Sequence, residues 1–136
     1  LNGLKRFPVD WLGEWRPEYG VPRDEIPEHV PQPLAELYAF AGRWPSPVDL
    51  GDGPYLLDCQ DHLVELTLAD QDGKIYFLDE NQGNWDCYVT TGGDDTRVYF
   101  NGGYLFDDDY DLNGPDEGYV PLDVSLSHLL TTYALQ

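Results

Sequence analysis

Apolar side chains at Leu34, Leu37, Tyr38 and Ala41 recur at the i, i+3, i+4, i+7 spacing of an amphipathic helix. Pro33 suits a first helical position, and Gly42 stands where a left-handed cap residue belongs. The pattern predicts a helix over 33–42. After residue 60 the period becomes two. Val64, Leu66 and Leu68 alternate with Glu65 and Thr67. Asp70-Gln71-Asp72-Gly73 is turn chemistry, with Gly73 able to take positive φ, and Ile75-Tyr76-Phe77-Leu78 resumes as a strand, so a hairpin is expected. A polar turn over 79–84 leads to Trp85, Cys87 and Val89, which alternate with Asp86, Tyr88 and Thr90. Gly92-Gly93-Asp94-Asp95 turns the chain again, and Val98 and Phe100 alternate with Arg97 and Tyr99. Asn101-Gly102-Gly103 then precedes a short strand at Tyr104-Leu105-Phe106. An acidic loop over 107–118 interrupts this antiparallel meander. Tyr119-Val120-Pro121-Leu122 reads as one more strand, which Pro121 confines to an edge. Ser125 caps a last helix over 125–135, with Val124 and Leu129 in staple positions and Leu126, Leu129, Leu130 and Tyr133 as its apolar face.

Upstream, Asp10 could cap a short helix carrying Trp11, Leu12 and Trp15, stopped by Pro17. The prolines at 17, 22, 27, 31 and 33 predict an ordered surface loop with at most one turn of helix. The expected fold is α+β. A single domain over 1–136 holds an antiparallel sheet of about five to six strands, flanked by an N-terminal and a C-terminal helix that both pack on it. The expected core is Leu34, Leu37, Tyr38, Leu66, Leu68, Ile75, Phe77, Trp85, Cys87, Val89, Val98, Phe100, Leu126, Leu129, Leu130 and Tyr133.

A chain of 136 residues with 41% hydrophobic residues can bury a core of its own. No stretch approaches the ~18 consecutive apolar residues of a membrane span. No basic region followed by an apolar one opens the chain, so a secretory signal is not expected, and the cytoplasm is the expected compartment. Charge changes the picture most. Seven Lys/Arg face 26 Asp/Glu, a net of −19. Residues 1–44 carry seven acids and five bases; residues 45–136 carry nineteen acids against Lys74 and Arg97 alone. That balance excludes nucleic acid and anionic membrane as partners and favours a cationic one. Solubility alone is the competing account of the charge.

Candidate chemistry is sparse. The serines at 46, 125 and 127 lie in no nucleophile elbow, and His29, His62 and His128 form no zinc-protease motif. No phosphate-cradling glycine loop is present. With so many acids, two carboxylates come within glycosidase distance by chance, so no catalytic residue is assigned. Cys59, His62 and Cys87 could supply three zinc ligands but lack a fourth, and two ordinary thiols of a reducing compartment are expected. Asp109, Asp111, Asn113 and Gly114 match the opening of a calcium loop, but its twelfth position, where a bidentate Glu belongs, is Val120. No metal and no cofactor are expected.

The turn Glu80-Asn81-Gln82-Gly83-Asn84-Trp85, between two hydrophobic strands, resembles the central signature of the SUKH superfamily, the Smi/Knr-type proteins. Pro33-Leu34, Leu37-Tyr38 and Ala41-Gly42-Arg43 resemble the family's first marked helix. Gln60-Asp61 resembles a pair that precedes its sheet, and Leu126-Ser127-His128-Leu129-Leu130 its closing helix. The likeness covers about residues 30–135. The chain departs from it in having Val98-Tyr99-Phe100 where a Trp is common, and in the acidic 107–118 loop. The resemblance implies a non-catalytic bacterial immunity protein that binds and neutralises a cognate toxin domain, often a nuclease, in the cytoplasm. The alternative within the family is a regulatory or scaffold protein; a carboxylate-dependent hydrolase is a remote third reading. Glu80, Asn81, Gln82, Gly83 and Trp85 are read mainly as turn-makers. The expected partner contacts are Glu80, Asp107, Asp108, Asp109, Asp111, Asp116 and Glu117, on the ground that acids in turns and loops are easily exposed. The expected partner is a toxin with a basic surface.

Overall fold

The computed structural model describes residues 15–45, 61–71, 73–80, 82–91, 97–102 and 119–133. Helix α1 (Gln32–Ala41) has Pro31 as its N-cap residue and Pro33 in its first turn, where no intrahelical N–H bond is lost. Leu34, Tyr38 and Ala41 are buried and Leu37 half-buried, as the stripe predicts. Gly42 differs from expectation. It sits at φ −69° and ψ 0°, in right-handed space. Packing selects glycine there: an added Cβ would lie 2.7 Å from the Tyr38 carbonyl oxygen and 2.8 Å from a Val21 methyl. The proline-rich segment before α1 forms two 3-10 turns, Pro17–Tyr19 and Arg23–Glu25, one more than expected. It is fastened to the helix where the Val21 N–H donates to the Tyr38 carbonyl (2.9 Å) and the Arg43 N–H to that of Tyr19 (2.8 Å).

The strands are β1 (Asp61–Leu63), β2 (Asp70–Gln71), β3 (Lys74–Glu80), β4 (Asp86–Thr90), β5 (Arg97–Asn101) and β6 (Tyr119–Ser125). Each described pairing is antiparallel, in the order β1-β3-β4-β5-β6, with β2 against the start of β3. The order from β3 to β6 follows the sequence pattern, and β6 lies at the edge of the sheet formed by the described residues. The strand expected over 64–68 does not form. Leu66–Ala69 closes a helical turn, α2, through the Ala69 N–H to the Glu65 carbonyl at 2.9 Å. Three-residue spacing puts both Leu66 and Ala69 into the core, whereas a strand would turn them to opposite faces.

One sheet face carries the core. Ile75, Phe77, Leu78, Cys87, Val89 and Val98 meet Leu34 and Tyr38 of α1 and Leu126 and Leu130 of α3 (Leu126–Tyr133). Both helices therefore pack on the sheet, in an α+β domain. Ser125 caps α3 as predicted, its Oγ accepting the His128 N–H at 3.2 Å. Trp85, Phe100 and Leu129 are half-buried against this core. The β3–β4 register shifts between Tyr76 and Leu78, a bulge that buries the successive side chains Phe77 and Leu78. The expected helix around Trp11, the 92–95 turn, the 104–106 strand, the 107–118 loop, and the side chains of Leu68 and Tyr133 lie outside the described residues.

Candidate functional site

The bulge decides what the other sheet face carries. Beyond it Asp79 shares a face with Tyr76, while Glu80 turns to the side of Leu78. Strand register then lines up one transverse row away from the helices: His62, Asp79, Asp86, Asn101 and Tyr119. A second row beside it holds Tyr76, Tyr88 and Tyr99. Tyr88 lies at its centre and is 1% exposed, although it is absent from the main core cluster. Its neighbours cover it. Tyr99 stacks on it at 4.8 Å and 5°, Tyr119 meets it edge-on at 4.7 Å, and Tyr76 is 5.3 Å away. The Lys74 ammonium lies 4.5 Å from the Tyr88 ring centre.

Carboxylates are held here at an electrostatic cost. Burial raises the Asp86 carboxyl above the ordinary range; the Tyr119 hydroxyl donates to it and lowers it, and the charge of Asp79 raises it. Oδ1 of Asp86 is buried with no hydrogen-bond donor among the described residues. Asp79 is raised by burial, with the neighbouring His62 opposing the shift. Around the edge, Asp61 pairs with Glu80 across β1 and β3; burial and then the Glu80 charge raise Asp61. Burial raises the Tyr119 phenol, and its bond to Asp86 raises it further. Four carboxylates thus converge at one end of the sheet.

Glu80 corrects an expectation. It is 6% exposed, not displayed to a partner. Its Oε2 accepts the backbone N–H groups of Gln82 and Asn84, both at 3.1 Å, and the Asn84 side-chain amide at 3.0 Å. Its main chain closes the same turn: the Glu80 carbonyl accepts the Gly83 N–H at 2.8 Å, and the Glu80 N–H donates to the Trp85 carbonyl at 3.1 Å. Gly83 takes φ 69°, as the turn requires, and Trp85 packs against Phe100 at 5.6 Å between ring centres. Gln82 is exposed, and Asn81 lies outside the described residues. The signature turn is built around an internal acid.

Asp107, Asp108, Asp109, Asp111, Asp116 and Glu117 also lie outside the described residues. The strands on either side of them in the chain are described. β5 ends at Asn101 and β6 begins at Tyr119, and these two residues are register partners. Both belong to the row of Asp79 and Asp86. Val120, the failed twelfth position of the calcium pattern, is a strand residue opposite Phe100. Cys87 is buried in the core and burial pushes its thiol up to about 12, which makes it a packing group; Cys59 lies outside the described residues. Among the described residues no three His, Cys, Asp or Glu side chains are arranged to hold a metal, and no helix is long and apolar enough to cross a membrane.

Sequence reasoning missed Asp61, His62, Asp79, Asp86 and the four tyrosines as a group. Alternation places Asp86, Tyr88 and Tyr99 off the core face, but only strand register brings them beside His62, Asp79 and Tyr119. Comparison of the chain with family models, with curated proteins and with solved structures found no match in any of the three.

Proposed function

We propose that this domain is a non-catalytic, protein-binding immunity protein of the bacterial cytoplasm, which neutralises a basic, nuclease-type toxin domain by occlusion. The supporting observation is the pairing of Asp79 with Asp86 on the outer face, at the end of the sheet where β5 ends and β6 begins. A surface built to hold phosphates is complementary to such an end, and the field of a chain at −19 steers it there. The likeness of the Glu80–Trp85 turn to the SUKH signature supports the immunity role. No step of chemistry is required of this chain, because covering the partner's basic cleft excludes its substrate.

The test is expression of the reading frame beside this gene, alone and together with this chain. Growth arrest by the neighbour, relieved by co-expression, is the expected result. A neighbour that is harmless, or that kills equally in the presence of this chain, overturns the reading.

A further inference from the structure

We propose that the tyrosine face of the sheet is the docking site for an arginine side chain of the basic partner, seated against the Tyr76, Tyr99 and Tyr119 rings and beside the Asp79 carboxylate. This inference rests on the proposed function for the partner's basic character and adds where, and through which residue type, it is held.

Tyr76, Tyr99 and Tyr119 are half-buried, and among the described residues they form the rim around Tyr88. Both helices send their buried side chains into the opposite face. A clustered set of phenol rings presents the negative faces that attract cations. The molecule already uses this property once, in the Lys74 ammonium 4.5 Å from the Tyr88 centre. Charge then orders the face along its length. Lys74 and Arg97 stand at the end near Thr90, while Asp79 and Asp86 stand at the end near Asn101. An incoming cation is repelled from the first end and drawn to the second. Oδ1 of Asp86 is buried with no donor among the described residues, and an incoming cation compensates the charge that Asp79 and Asp86 share at this end.

Arginine fits better than lysine. Its guanidinium is planar, stacks on aromatic rings and keeps its N–H groups in the ring plane, where a neighbouring carboxylate can accept two of them. An ammonium is more strongly hydrated and cannot stack. Arginine is also the cation enriched at the centres of protein interfaces, together with tyrosine.

The test titrates the isotope-labelled full chain with hexa-arginine and hexa-lysine peptides, read by NMR. The expected result is movement of the Tyr76, Tyr99 and Tyr119 ring signals, with hexa-arginine bound about two- to fivefold tighter than hexa-lysine. Tyr99→Phe keeps the preference; Tyr99→Leu and Asp79→Asn reduce it to unity. Should Tyr99→Leu lose its dispersed spectrum, Asp79→Asn alone decides. Equal affinity for the two peptides, a preference that Asp79→Asn leaves intact, or shifts confined to 107–117 overturns the proposal. Growth protection reads separately. Arginine preference without protection removes the toxin reading and leaves this face standing; protection without arginine preference removes only the face.

Discussion

Glu80 accepts both the backbone N–H and the side-chain amide of Asn84 on a single carboxylate oxygen, at 3.1 and 3.0 Å. The acid expected to face a partner is therefore the internal brace of its own turn. Hydrogen bonds to a charged acceptor are the stronger kind, and their loss strands the donors they served. Glu80→Ala is expected to cost about 2–3 kcal/mol, and Glu80→Gln, which keeps an amide oxygen, about half of that. Urea denaturation measures both. A cost below about 0.5 kcal/mol for the alanine variant contradicts the bracing role.

Tyr38 ties α1 to the chain that leaves β1, its hydroxyl donating to the Val64 carbonyl at 2.7 Å. The ring is fully buried. Tyr38→Phe keeps the packing and removes one bond, so a loss of about 1–2 kcal/mol is expected without change of fold. An equally stable phenylalanine variant shows that the bond contributes nothing.

Much of this framework is legible from residue order, and the exceptions have physical causes. Leu34, Tyr38 and Ala41 declare α1 because one face of a helix repeats every three to four residues. Cys87, Val89 and Val98 declare β4 and β5 because their neighbours alternate with them. The run from Val64 to Leu68 fits two periods at once, and tertiary burial of Leu66 with Ala69 selects the helical turn. Gly42 signals a helix end correctly but for packing, not for left-handed backbone. The polar face is hidden for a different reason. Its row depends on which residues of five strands stand opposite one another, and a bulge at Phe77 resets that parity. No local pattern carries long-range register.

Acid should stabilise this domain before it unfolds it. Asp61, Asp79 and Asp86 all have carboxyl pKa values raised in the folded state, in each case chiefly by burial. Between the ordinary carboxylate value of about 4 and their raised values, the folded chain binds more protons than the unfolded one. Unfolding free energy therefore increases as pH falls from neutral through the raised values, and the gain is complete near pH ~4. General relief of charge repulsion acts in the same direction, so the discriminating variant is Asp79→Asn. It should melt higher than the parent at pH ~7 and gain less on acidification. Calorimetric melts from pH ~7 to ~5 that fall steadily for the parent contradict the assignment.

The acids of 107–118 should govern encounter more than folding. Dense like charges repel each other and add little to stability, and a cationic partner relieves that repulsion. Asp107, Asp108 and Asp109 changed together to Asn should leave the melting temperature unchanged or slightly higher. Differential scanning calorimetry decides this, and a drop of several degrees would show the acids to be part of the folded framework.

Association kinetics test the central claim most directly, because occlusion of a basic partner by an acidic end of the sheet must be steered by charge. The product of the adjacent reading frame is immobilised and this chain is passed over it at ~50 and ~500 mM salt, across which the Debye length shrinks from above ~10 Å to well below it. Fast association that slows steeply at the higher salt is expected, with a further loss of rate in the Asp107, Asp108, Asp109 to Asn variant. Association that is independent of salt, or a triple variant that binds at the parent rate, contradicts that claim and leaves the acids as a coat for solubility.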